Sequence, residues 1–260
     1  MKPFPFLVTR LGWMLTLVGF FFSTLGALTN ARSELLFADS FNYGTGKLDG
    51  QGPPPGSPPG QGGWVAINNE PRVAPHDLIF GFGSCARLHS ILGTISDEAL
   101  AAIGPVTPGD GVVWIGFLMR KPTGDVRNGF AVVVVIGESI SDPSVGIGML
   151  FDRNRYGLDN NIGDPGSKSL SDVIVNGRTA WLVTKLDFIA GQEYLWINPS
   201  SDSEPDIADA DADLKMTPEF QAVGFHNLRL RVGYARAAFQ FDELRAGTEF
   251  ADVVLPQRAR

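Results

Sequence analysis

The chain has 260 residues, of which 44% are hydrophobic and 19% charged, with 31 Gly and 18 Pro spread along its length. Those values exclude a disordered chain and leave room for one large all-β domain or two small ones. A formal charge of −7 without a Lys/Arg cluster argues against nucleic acid or an anionic lipid surface as a partner.

Residues 1–31 read as a secretory signal peptide. Lys2 and Arg10 supply a positive start, residues 11–28 form a continuous apolar run, and Thr29 and Ala31 offer small residues at −3 and −1 of a cleavage site. The rival reading is an uncleaved anchor, because the run approaches the ~20 residues that span a bilayer. Small residues behind the run and the lack of a second apolar stretch favour cleavage. The expected address is therefore secreted, periplasmic or cell-surface, with no membrane attachment after cleavage. Cleavage removes two bases and no acid, taking the charge from −7 to −9. Cys85 is the single cysteine, so no internal disulfide can form and the core must carry stability. Cys85 itself reads as a small buried residue.

The segment 51–63, QGPPPGSPPGQGG, reads as a surface loop within a domain spanning about 34–255. Before it, LLFADSFNY looks like a first strand in need of partners. After it, runs rich in β-branched and aromatic residues recur, bounded by Gly, Pro, Asp or Asn: 87–95, 111–120, 129–139, 145–152, 179–188, 193–199, 228–234 and 237–247. SDEALAAIG (96–104) is the one helical candidate. So many short strands predict a two-sheet antiparallel sandwich or jelly roll.

One hairpin can be read in detail. A short turn containing Gly191 joins 179–188 to 193–199, and the predicted register sets Lys185 opposite Trp196 and Asp187 opposite Tyr194. Alternation places Leu182, Thr184, Leu186, Phe188, Leu195 and Ile197 on a core face. Trp181, Val183, Lys185, Asp187, Tyr194, Trp196 and Asn198 share the other. Flat rings beside hydrogen-bonding groups suit a pyranose, whose apolar side covers a ring while its hydroxyls meet polar atoms. Trp181, Lys185, Asp187, Tyr194, Trp196 and Asn198 are therefore the candidate ligand-binding residues, with a polysaccharide or glycan as the partner. The competing reading is that the rings only stabilise the sheet or lie beneath loops.

Two Asx-rich stretches raise Ca²⁺ as a candidate cofactor. Asp209, Asp211 and Asp213 alternate like calcium-loop ligands, yet Leu214 and Phe220 stand where a calcium hand needs Gly and Glu, so only an irregular site remains open. Asp152, Asp159, Asn160, Asn161 and Asp164 form the second set, in a stretch that turns also favour. A catalytic role finds little support. Glycoside cleavage needs two carboxylates at fixed separation, and no predicted strand carries acids spaced to share a face. Asp242 and Glu243 are sequence neighbours and point apart. His76, His89 and His226 lack metal-ligand spacing to one another or to Cys85.

Three segments together resemble the LamG-like group of the concanavalin A-like lectin/glucanase superfamily, found in secreted bacterial domains. They are ADSFNYGTGKLDGQ leading to Gly63-Trp64, the hairpin ending in Asn198-Pro199 and Glu204-Pro205, and FDELRAGTEFADV (241–253). Asp39, Phe41, Tyr43, Gly46, Leu48, Gly50, Gly63 and Trp64 carry the first match. The resemblance implies a jelly-roll fold with the closing strand beside the N-terminal one. Its superfamily includes lectins, glycan-binding modules, glycosidases and secreted proteins of no assigned role, so the carbohydrate-binding reading rests on the hairpin face. The resemblance implies no catalysis, because the closely spaced Glu/Asp strand of the glucanase branch is missing. The alternatives are a structural envelope or interaction protein without a sugar ligand, and a glycan-cleaving enzyme.

Overall fold

A computed structural model describes residues 33–75, 78, 84–91, 95–125, 129–151, 153–160, 167–234 and 236–255. The apolar run 11–28, His76, Asp152, Asn161 and Asp164 lie outside the described residues. The strands in chain order begin with β1 (Leu35–Asp39), β2 (Gly46–Lys47), β3 (Trp64–Asn68), β4 (Arg72–Pro75), β5 (Ser84–Ile91) and β6 (Ile95–Val106). They continue with β7 (Val112–Asp125), β8 (Phe130–Ile136), β9 (Ser144–Met149), β10 (Arg155–Asn160) and β11 (Lys168–Ile174). The series ends with β12 (Ala180–Asp187), β13 (Gln192–Ile197), β14 (Ala212–Lys215), β15 (Phe225–Gly233) and β16 (Arg236–Gly247). One short helix, α1 (Pro218–Val223), precedes β15.

These strands make two antiparallel sheets packed as a sandwich. The front sheet runs β2-β4-β5-β16-β7-β12-β13-β14, with β1 pairing the C-terminal half of β16. The back sheet runs β3-β6-β15-β8-β9-β10-β11, and β5 crosses to it through a short pairing with β6. Period-two alternation sends Ile115, Phe117, Met119, Leu182, Leu186, Phe239 and Phe241 inward from the front sheet. Val133, Val135, Ile147, Leu158, Leu228 and Leu230 meet them from the back. Each such side chain contributes roughly 1.5–3 kcal/mol by leaving water.

The closing strand lies where the resemblance implies. Ala38 pairs with Arg245 and Asp39 with Leu244, so the two ends of the domain meet. The register of β16 against β7 shifts between Asp242 and Arg245, and Glu243 adopts φ 48°. This bulge resets the alternation, which lets Phe239, Phe241, Leu244 and Ala246 all reach the core. Asp242 Oδ2 accepts from the Leu78 backbone at 2.8 Å, and Arg245 donates to Glu243 at 3.2 Å. Both carboxylates therefore shape the chain.

The N-terminal motif residues gather around one carboxylate. Buried Asp39 accepts from Phe41 N at 2.7 Å, Tyr43 Oη at 2.6 Å and Trp64 Nε1 at 2.7 Å. Gln61, at the end of the Pro-rich loop, bonds both backbone groups of Ala38, at 3.1 and 3.0 Å, and so serves as one more rung of sheet. Cys85 is fully buried, accepts from Gln240, and burial pushes its thiol up to about 11.

Two expectations are corrected. Residues 96–104 are strand, within β6, and not helix. Ala99, Ala101 and Ile103 alternate into the core while Glu98 turns outward to Arg229 and Arg231, so pairing with β3 and β15 overrides the helix preference of Ala and Glu. In the hairpin, Lys185 pairs with Tyr194 and Val183 with Trp196, a register two residues from the one expected. A two-residue slip keeps every side chain on its face, so the predicted faces hold.

Candidate functional site

The outer face of the β12–β13 hairpin continues onto β7 as a row of rings. Trp196 stacks on Trp114 with centroids 5.6 Å apart, Tyr194 lies 6.0 Å from Trp196, and Lys185 Nζ sits 5.2 Å from the Trp114 ring centre. The row is not an open platform. After β16 the chain turns through a 3₁₀ segment, Phe250–Val253, and folds back over it. Phe250 meets Trp114 edge-on at 5.4 Å and Trp181 at 6.3 Å, leaving Trp181 6% and Trp196 2% exposed. Val253 rests on the backbone of Gly116, where any Cβ would collide with it. The Trp181 indole N–H is buried and finds no acceptor among the described residues.

The polar candidates are held by the backbone around them. Asp187 Oδ1 accepts from Ala190 N at 2.8 Å and closes the hairpin turn. Asn198, at φ 56°, exchanges two bonds with the backbone of Trp181 and ends the strand pair. Lys185 pairs with Glu204 at 3.3 Å. Tyr194 is half-buried at the margin of the row.

What remains open is a cleft of about 460 Å³ beside Trp196. The segment 199–211 returns along the hairpin edge and is pinned at three points. Trp196 Nε1 donates to the Asp206 carbonyl at 3.0 Å, Asp211 Oδ2 accepts from Ile197 N at 2.7 Å, and Asp211 N donates to Leu195 O at 2.8 Å. Asp206 caps the 3₁₀ turn Ile207–Asp209 through Ala208 N. Trp196 forms part of the wall, and Ser200, Ser203, Glu204, Asp206, Asp209 and Asp211 line the rest with hydroxyls and carboxylates. In sequence the acidic stretch 200–214 reads as a solvated surface loop or an irregular cation loop. Its fold back onto Trp196 is a tertiary event, signalled only by Pro199 and Pro205, which limit how the segment can bend.

Asp209, Asp211 and Asp213 do not converge. Asp209 ends the 3₁₀ turn, Asp211 is engaged by Ile197 N, and Asp213 lies on β14 opposite Tyr194. Asp159 and Asn160 are adjacent on β10 and therefore point to opposite sides of it. Among the described residues, no three His, Cys, Asp or Glu side chains come together in a way that could hold a metal.

No family model matches the chain, and no curated protein does. Solved structures do. A receptor-binding domain shares 11% identity over 86% of this chain and 50% of its own, with a TM-score of 0.50. A botulinum neurotoxin type C structure, described by interaction with two ganglioside molecules, is 10% identical over 72% of this chain and 43% of its own, at 0.47. The binding domain of botulinum neurotoxin DC in complex with SialylT is 12% identical over 74% and 45%, also at 0.47. The chain thus spans about half the length of these proteins, and what it shares with them is the β-sandwich fold.

Proposed function

We propose that this protein is an exported, non-catalytic carbohydrate-binding domain of the LamG-like, concanavalin A-like type, and that the cleft beside Trp196 is its binding site. The observation that carries the reading is the cleft itself. The edge of the buried Trp196 indole closes its back, and a rim of serine hydroxyls and carboxylates stands ready to bond the hydroxyls of a sugar. Its carboxylates are committed to structure in ways that suit holding and not cleaving: Asp206 caps a turn, Asp211 secures a strand end, and Glu204 pairs with Lys185. Acceptors dominate the rim, so the fitting ligand is a neutral, hydroxyl-rich polysaccharide. The gathering of the N-terminal motif residues around Asp39 supports the LamG-like assignment.

Affinity electrophoresis through gels carrying neutral polysaccharides tests this. Wild type should be retarded in at least one gel, and Asp209→Ala with Ser203→Ala should run free at an unchanged melting temperature. Both side chains are exposed, so truncation spares the fold. Failure of every neutral polysaccharide to retard wild type would sink the reading. A second reading, a structural envelope protein without a sugar ligand, is favoured by one observation: Phe250 and Val253 cover the tryptophan row, which then acts as packing.

A further inference from the structure

Three rings meet at one corner of the back sheet, away from the cleft. Phe130 opens β8, Phe151 lies in the turn after β9, and Tyr234 lies in the turn after β15. Their centroids are 6.4, 6.1 and 5.4 Å apart. Phe130 is buried beneath the other two, while Phe151 is 38% and Tyr234 45% exposed. The exposed pair stands at 84°, so one ring forms a floor and the other a wall. Single exposed aromatics are ordinary on a protein surface; here two open rings are packed together at one corner.

Tyr234 holds that position at φ 56°. A bulky side chain in the left-handed region is strained, and such strain persists where the surroundings enforce it, often at binding sites. The corner also differs in charge from the rest of this acidic chain. The Arg231 guanidinium lies 5.2 Å from the Phe130 ring centre, and Lys168 Nζ 5.8 Å from that of Phe151. Arg229 and Arg231 share the single carboxylate of Glu98, which leaves one positive charge over. Lys168 stands 4.0 Å from Asp159, so its pairing there is loose. Lys168 and Arg231 are the two cations set against the rings.

We propose that this corner is a second glycan site, for an anionic sugar carrying a carboxylate or sulfate. The apolar face of the pyranose lies on Tyr234 or Phe151, and the anion points to Lys168 and Arg231. Aromatic stacking supplies the contact area, and the two cations beside the rings select the charge. The acceptor-lined cleft beside Trp196 would repel the same ligand, so the two sites divide glycans by charge. This corner does not depend on the cleft being a sugar site.

Isothermal titration of the full chain with hyaluronan oligosaccharide, a carboxylated probe, and with neutral dextran oligosaccharide as control tests the proposal. Wild type should bind hyaluronan, more weakly as salt rises, and should not bind dextran at this corner. Tyr234→Gly removes the ring and relieves the backbone together. It should weaken hyaluronan binding roughly tenfold, the effect of losing one stacking contact, while melting at the same temperature or higher. Asp209→Ala with Ser203→Ala should leave hyaluronan binding intact, which separates this site from the cleft. The proposal is overturned if hyaluronan does not bind, if Tyr234→Gly binds it as wild type does, or if Tyr234→Gly melts lower, since the ring would then be packing. Capture by phosphatidylserine vesicles without hyaluronan binding would equally overturn it.

Discussion

Glu193 of β13 and the Asn160 side chain of β10 meet in the space between the two sheets, where Glu193 is fully buried. Asn160 Nδ2 donates to the Lys215 carbonyl of β14, while Asn160 Oδ1 and both Glu193 oxygens lack a donor. Burial, helped by the nearby charge of Asp159, pushes Glu193 up to about 8 against the opposing contact with Asn160. Protonation removes the charge that burial penalises and leaves Glu193 with an O–H donor, while Asn160 Oδ1 lacks one. The folded protein therefore keeps a proton up to about pH 8 that an unfolded glutamate gives up near 4.5. Stability is full below the unfolded value, falls by about 1.4 kcal/mol per unit as the pH rises between the two, and is level above. Glu193→Gln keeps a buried donor and cannot ionise. Denaturant melts across pH 5 to 9 should show the decline in wild type and not in Glu193→Gln. Parallel curves would disprove it.

Asp39→Ala should be among the more damaging single changes. It strips the acceptor from Phe41 N, Tyr43 Oη and Trp64 Nε1, and a buried donor left unpaired costs ~1–3 kcal/mol. A loss of about 3 kcal/mol or more by urea unfolding is expected, and one below ~1 kcal/mol would refute the arrangement.

Glu98→Gln tests the outer face of the back sheet. Glu98 is 1% exposed and binds Arg229, Arg231 at 2.5 Å, and Asn68 at 3.1 Å. Removing its charge leaves two guanidinium groups side by side, one of them buried, and breaking a buried pair costs about 3–5 kcal/mol. Glu98→Gln together with Arg229→Met should recover part of that loss in chemical melts.

Phe250→Ala should uncover the tryptophan row. A loss of about 3 kcal/mol is expected for a buried phenylalanine. Native-state tryptophan emission should shift to longer wavelength as Trp114 and Trp181 meet water. An unshifted spectrum would mean that other atoms cover the rings.

Several of these features were legible in the chain. Alternation in 179–188 and 193–199 separated core from outer residues correctly, because the sign of a strand face depends only on parity. The exact pairing was not, since strands two residues out of step bury the same set. Residues 96–104 looked helical because Ala, Glu and Leu prefer helix alone, and their strand state comes from the neighbours β3, β5 and β15. The broken alternation of 239–244 was visible in the sequence, but the bulge that resolves it, with Glu243 at positive φ, appears only in three dimensions.

The sequence by itself determined the class of fold, while the meeting of the two ends was what the resemblance of the terminal segments implied. Periodic apolar residues and turn formers act locally, within a few residues of one another. Only the tertiary structure decided which aromatic residues meet solvent. Phe250 lies far along the chain from Trp114, yet it covers that ring, while Phe130, Phe151 and Tyr234 come from separate strand ends to form a corner. Exposure depends on which distant segment folds over a surface, and no local pattern records that.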